Sequence, residues 1–427
     1  MQKKLLTLAV AGALAAPGAA LAQVEVYGFV FMSANKFKYS TPTQAGAGTG
    51  FGSVSKWDVA SHASNYGVRG RENLGGGQTA WFQIEQNAPM ERSNNVAITP
   101  ASRNSAVGMQ GGWGNIFIGQ WTTPWADLDA LWGVGTVGGW GPITSIIGRR
   151  ETTGAAPNFN CANGVSPGPG ICDAVESAGG VGHAFWRRVS QAIFYQSPVF
   201  GGVQLKFAYQ TNEGKATAGT GVLAADPSLW SASAAWSGMG GRLRVGAALD
   251  SHKDFSTIGQ SDSGFRVTGG WNFGFADVGL AYESMTYKTT TGDCDATQWG
   301  VGVAIPVGSG AIRASYAVAD DIDGTFVAGP VPGAGAGAPT ACGGITGFTA
   351  AQAANNGAKT YNIGYDHRFS KRTTVGIGYA VIKNDEGAVF TWTGAPPTQT
   401  GGAVTAANVP FPGSDPSTFF VSIIHRF

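Results

Sequence analysis

The chain carries a rhythm that few folds accommodate. From residue 24 onward, segments of about ten residues alternate in side-chain character, the length a tilted membrane-crossing strand needs. The connectors alternate too, one short and Gly-rich, the next long and polar. A transmembrane β-barrel has this asymmetry, with tight turns on its periplasmic side and long loops outside. The pattern runs to Phe427, where FVSIIHRF reads as a closing strand rather than a tail. The expected fold is all-β, a transmembrane antiparallel β-barrel.

Composition agrees. Only 12% of the residues are charged, about half the usual soluble share, yet mean hydropathy is zero and no later run of ~20 apolar residues follows. Apolar residues dispersed at period two make a lipid-facing surface without a hydropathy peak. The 67 glycines disfavour helix. Residues 1–22 read as a secretory signal peptide: Lys3 and Lys4, an apolar core over 5–16, and Ala20-Leu21-Ala22 before the cut. Cleavage leaves 427 − 22 = 405 residues, 23–427, as one barrel domain with charge 25 − 26 = −1. That balance gives no basic surplus for a nucleic-acid partner.

Residues 24–36 alternate as a first strand. Val24, Val26, Gly28, Val30 and Met32 share one face; Glu25, Tyr27, Phe29, Phe31 and Ser33 share the other. A long polar loop is expected next, then SNYGVRGREN and QTAWFQIEQ around LGGG. Hairpins follow around GGWG, PVFGG and GMGG. Three more pairs come from FRVTGGW with DVGLAYESMTY, QWGVGVAIPV with AIRASYAVAD, and KTYNIGYDHRF with TVGIGYAVIKN. With the first and last segments this makes about sixteen strands. The terminal strands must pair, because an open edge in lipid leaves backbone groups unsatisfied. Tyr27, Trp81, Phe117, Tyr209, Trp236, Trp271, Tyr282, Tyr316, Tyr365 and Tyr379 are expected in the interfacial aromatic girdles. Two connectors are unusual: a long third loop over 121–187 after the fifth strand, and a Gly/Ala/Pro-rich extracellular loop over 324–358.

VEVYGFV (24–30), SNYGVRGRENLGGGQTAWFQIEQ (64–86), VGMQGGWGNIFIGQWTTP (107–124), RRVSQAIFYQSPVFGG (187–202) and FVSIIHRF (420–427) resemble the trimeric Gram-negative porins of the neisserial and β-proteobacterial type. The resemblance implies a homotrimer of sixteen-stranded barrels in the Gram-negative outer membrane, among lipids and lipopolysaccharide. Each barrel would be a water-filled pore narrowed by the third loop folded inward. It implies passive diffusion of ions, small anions and hydrophilic solutes, with no cofactor and no metal. Phe427 and His425 resemble the signal read by the barrel-assembly machinery. Independently, a barrel this wide cannot be filled by side chains alone, and no plug domain precedes the first strand.

The family pattern places arginines on the wall facing the third loop. Arg103 and Arg188 stand at matching positions, and Arg69 and Arg71 share a strand face with Asn65 and Asn73. A guanidinium ladder in a narrow pore attracts anions. Against it, the loop's early acids are Asp127 and Asp129, so the expected balance is 4 − 2 = +2 and a mild anion preference. Asn65 and Gln120 stand where arginines are common in the family, Phe31 where aspartate is frequent, and Phe194 where a polar residue is usual. The loop also carries Trp121, Trp125, Trp132 and Trp140. Turned inward, these indoles would either guide aromatic or organic-acid nutrients or anchor the loop to the wall.

Cys161, Cys172, Cys294 and Cys342 all fall in expected loops of an exported chain, where disulfides are permitted. Proximity favours Cys161–Cys172, which would leave Cys294–Cys342; four cysteines allow three connectivities. GVGTVG (133–138) matches G-x-G-x-x-G without a strand–helix context and is rejected as a dinucleotide site. The five histidines have no ligand spacing. An outer-membrane barrel hydrolase is the distant enzyme alternative, with no recognisable nucleophile constellation.

Overall fold

The computed structural model describes residues 23–41, 53–90, 101–147, 185–211, 215, 226–255, 259–289, 292–326, 342, 349–388, 390–392 and 413–427. The strands are β1 (Gln23–Tyr39), β2 (Val54–Ser61), β3 (Asn65–Gly75), β4 (Gln78–Asn87), β5 (Ser105–Gly111), β6 (Gly114–Thr122), β7 (Arg188–Gln196), β8 (Val203–Gln210), β9 (Ser228–Gly238), β10 (Leu243–Lys253), β11 (Ser261–Asn272), β12 (Asp277–Lys288), β13 (Asp293–Val307), β14 (Gly310–Ala319), β15 (Ala358–Arg368), β16 (Thr373–Asn384) and β17 (Pro416–Arg426). All pair antiparallel in one sheet, which closes where β1 meets β17 from Phe29↔Arg426 to Tyr39↔Pro416.

The seventeen segments fill sixteen positions in the barrel wall. On its other edge β1 pairs first with β3 (Gln23–Phe29 against Arg71–Asn65) and then with β2 (Met32–Tyr39 against Ser61–Val54). So β2 and β3 are two lengths of one strand, broken at Ala63 (φ 52). Ser64 stitches the break: its hydroxyl accepts from Phe31 N at 2.9 Å and donates to Phe31 O at 3.1 Å. The stretch VSKWDVAS is therefore strand, not part of the polar loop expected from the sequence. Its Trp57 and Val59 face outward at 72% and 55% exposure, as lipid-facing residues should.

Period two places the two faces. In β11, Phe265, Val267 and Trp271 are exposed outside while Asp262, Arg266 and Thr268 are buried inside. Tyr209, Trp271, Tyr282 and Tyr379 do sit outside. Tyr27, Trp81 and Phe117 do not join the girdles; they share the inner parity of Glu25, Gln83 and Asn115. Closure is tight at one glycine. Phe427 N donates to Gly28 O at 3.0 Å, and a Cβ on Gly28 would strike Asn65 O and the Phe427 ring. The last strand faces outward through Phe419, Val421, Ile423, His425 and Phe427.

Cys294 and Cys342 are bonded, with Cα atoms 5.5 Å apart. Cys294 lies near the start of β13 and not in a loop, because β12 and β13 extend pairing up to Lys288↔Asp293. Cys161, Cys172 and residues 1–22 lie outside the described residues, as do most of 148–187 and of 324–358.

Candidate functional site

Two different walls face each other inside the barrel. The first is covered by chain that follows β6. Thr123 begins it as an N-cap, its hydroxyl accepting from Ala126 N at 3.4 Å, with Pro124 preset for the first helical turn. Two short helices follow, α1 (Pro124–Asp127) and α2 (Asp129–Trp132), then 3-10 turns at Gly133–Gly135 and Pro142–Thr144. This stretch lies on the inner face of β8 to β15. Trp125, Trp132 and Trp140 are 0%, 1% and 0% exposed. Trp140 donates its indole N–H to Asn35 Oδ1 at 2.9 Å and packs edge-on to His62 and Phe37. The indoles of Trp125 and Trp132 therefore fix the stretch to the wall and offer no face to a passing solute, contrary to the aromatic-guide reading.

Three arginines from separate strands hold this stretch by the same device. Arg266 of β11 donates to Trp125 O at 2.9 Å and pairs with Asp129, with Glu283 of β12 at 3.5 Å. Arg244 of β10 donates to Leu131 O at 3.4 Å and pairs with Asp277 at 2.6 Å. Arg313 of β14 donates to Val134 O and pairs with Asp366 of β15 at 2.8 Å. Asn362 continues the series by donating to Val137 O and Trp140 O. Within the stretch Leu128 N reaches Trp125 O at 3.3 Å and Trp140 N reaches Val137 O at 3.4 Å; the side chains add donors to these and to the neighbouring carbonyls, and a guanidinium has enough donors to serve a carbonyl and a carboxylate together. The backbone also comes close, since a Cβ on Gly279 would strike Trp132 O. None of these three arginines was singled out from the sequence. Their signal is an Arg at inner parity among small residues, alone in FRVTGG and AIRASY and two residues after Arg242 in RLRVG.

The second wall, from β3 to β8, carries a connected charge track. Near the tight turns, Arg69 pairs with Glu25 at 2.9 Å and lies over the Tyr27 ring at 4.7 Å. Tyr27 donates to Glu85 at 3.0 Å, and Glu85 pairs with Arg103 at 2.6 Å. Higher up, Arg188 donates to Asn104 Oδ1 at 2.7 Å. Thr122 donates to Asp127 Oδ1 at 2.8 Å, and Asp127 pairs with Lys206 at 2.7 Å. Beside the track stand Trp81, Phe117, Trp121 and Phe194; Phe117 and Phe194 stack at 4.7 Å.

The four expected arginines thus fall at two levels. Arg69 and Arg71 are exposed near the short turns. Arg103 is mostly buried in its ion pair and Arg188 is 8% exposed, both at the long-loop end. Of the two expected acids, Asp127 joins the track and Asp129 is held by Arg266 and by Trp186, whose indole donates at 2.6 Å. Asn65 is buried, donating to Ala63 O at 3.1 Å, and Phe31 packs on His62 at 4.8 Å. His425 is exposed, its ring 3.0 Å from the Thr373 hydroxyl.

A family model described as Gram-negative porin matches residues 7–387. Outer membrane porin protein 32 of Delftia acidovorans is 25% identical over 401 residues, 91% of this chain and 92% of that one. The major outer membrane protein P.IB of Neisseria gonorrhoeae is 32% identical over 134 residues, 30% of this chain and 35% of that one. Among solved structures, an anion-selective porin from Comamonas acidovorans superposes with TM-score 0.60 at 22% identity, over 95% of this chain and all of that one. The trimer form of OmpT, an outer membrane protein of Vibrio cholerae, gives 0.56 at 13% identity, over 95% and 99%.

Proposed function

The chain belongs to the Gram-negative porin family, and on that premise we propose that its second wall makes it a mildly anion-preferring pore. The protein is a passive channel of the Gram-negative outer membrane, and its family is one of channels rather than enzymes. In this reading the stretch after β6 narrows the lumen from one side, and solutes pass between it and the charge track.

The observation that carries the preference is the charge balance of the track. Arg69, Arg71, Arg103, Arg188 and Lys206 stand against Glu25, Glu85 and Asp127, 5 − 3 = +2. On the opposite wall the Arg244–Asp277 and Arg313–Asp366 pairs cancel, while the buried Arg266 stands against Asp129 and Glu283, 1 − 2 = −1, so the two walls together keep 2 − 1 = +1. Screening over ~8 Å at physiological salt confines the field to charges lining the passage. The Comamonas porin is described as anion-selective, in keeping with this reading.

The assembly is a homotrimer, a reading supported by the trimer form of the Vibrio OmpT barrel, with lipid and lipopolysaccharide around it. Phe427 and His425, exposed on the closing strand, serve the barrel-assembly machinery. Liposome swelling tests the channel. Uptake of uncharged sugars should be unsaturable and should fall with solute size. A saturable uptake curve would contradict passive diffusion.

A further inference from the structure

Resting on the reading that lipopolysaccharide surrounds the barrel, we infer that the outer wall where β17, β1 and β2 meet carries a binding site for a phosphate monoester of that glycolipid. Two lysines point to it. Lys36 and Lys38 take the outward parity of β1, while Asn35, Phe37 and Tyr39 beside them are buried inside. Both lie within three residues of Tyr39, the long-loop end of the strand. A lysine on a lipid-facing wall is costly at mid-membrane. It is tolerated near the interface, where its head meets anionic headgroups.

The other outward lysines at this end of the barrel have an acid at hand. Lys253 pairs with Asp226, Lys288 with Asp293 and Lys383 with Asp415, and Lys359 lies in the field of Asp385. Among the described residues Lys36 and Lys38 are in no ion pair. Lys36 lies instead over the Trp57 ring, 5.1 Å from its centroid, an arrangement that holds the ammonium in place without neutralising it.

The neighbours suit an acylated anion. In the pairing register Lys36 stands between Phe419 of β17 and Trp57 of β2, and Lys38 between Ser417 and Ser55. The two serines are small and leave the Lys38 ammonium open. Phe419 and Trp57 are exposed outward and offer acyl chains an apolar face one row closer to mid-membrane. An ammonium is a compact point charge that takes phosphate oxygens. Two of them match a phosphate monoester, which carries about −1.5 to −2 at neutral pH, better than the single charge of a phosphodiester. The long-loop end faces the outer leaflet, where that glycolipid lies.

The test uses the full-length protein in detergent, with diphosphoryl lipid A titrated in mixed micelles and bound lipid counted by native mass spectrometry. Lipid A should bind saturably. Lys36→Gln and Lys38→Gln should each weaken it about fivefold, and the two together roughly twentyfold. Lipid A stripped of its phosphates should bind the native protein as weakly as lipid A binds the double variant. Phosphatidylglycerol, a phosphodiester, should need several-fold more lipid, and inorganic phosphate at the same concentration should displace nothing. Equal binding of the stripped glycolipid or of phosphatidylglycerol would overturn the site, as would displacement by inorganic phosphate or a titration unmoved by the double exchange. A double variant that is monomeric in lipid-free detergent, where the native protein is a trimer, would make the face a subunit contact and overturn the site too. Unsaturable uptake of lipid A that ignores the lysines overturns the site alone. No uptake by the native protein overturns the surrounding glycolipid and the site with it.

Discussion

Replacing Arg266 by methionine should loosen the stretch after β6 and enlarge the pore. Arg266 is fully buried and reaches Trp125 O, Asp129 and Glu283 at once. Methionine fills much of the volume but donates nothing. Two carboxylates would then remain at 15% and 0% exposure without their cation. Breaking a buried ion pair by removing one partner costs about 3–5 kcal/mol, mostly because the other charge stays behind. Undocking the stretch would relieve Asp129, so that cost acts directly on docking and shifts its equilibrium by roughly a hundredfold or more. Single-channel recording should show a larger mean conductance and added flicker. Arg266→Met combined with Asp129→Asn and Glu283→Gln removes the stranded charges and should return conductance most of the way to the native value. An Arg266→Met channel with native conductance and noise would refute the idea that this arginine holds the stretch across the lumen.

Gly279→Val should cost about 1–3 kcal/mol through overpacking, because its Cβ would strike the Trp132 backbone; thermal denaturation in detergent checks it. Losing the Cys294–Cys342 bond, which spans a sequence separation of 48, should lower stability by at most about 4 kcal/mol on the chain-entropy account. Urea midpoints of Cys294→Ser with Cys342→Ser against the native protein measure the loss. Arg69→Gln with Arg71→Gln removes two cations, taking the track from +2 to 2 − 2 = 0. The reversal potential in a KCl gradient should move toward the non-selective value, and an unmoved potential would place the filter elsewhere.

The strand ladder was readable because its signal is local. Period-two alternation and turn glycines sit within each hairpin, and the expected pairs from GGWG to the last hairpin are those observed. The length β2 escaped because Lys56 and Asp58 on its inner face make VSKWDVAS look polar, and because the break at Ala63 interrupts the alternation. Tyr27 reads as a girdle residue from its type, although its parity with Glu25 puts it inside. The third-loop tryptophans are open to two readings in sequence, and burial decides for anchoring at Trp125, Trp132 and Trp140. The arginine clamps were not legible at all. Arg313 reaches a carbonyl 179 residues away and Arg266 one 141 residues away; their partners are backbone atoms, which leave no residue-type signal. Arg103 reads as a wall cation in sequence, while the fold gives it the carboxylate of Glu85, 18 residues earlier on β4.

The reversal potential of the purified native protein across a KCl gradient tests the central claim most directly. An ohmic, stepwise conductance with a reversal potential displaced modestly toward that of chloride, and shrinking as salt rises, is the predicted result. A potential displaced toward that of potassium would contradict the account, since the +2 track could not then be what solutes meet in the passage.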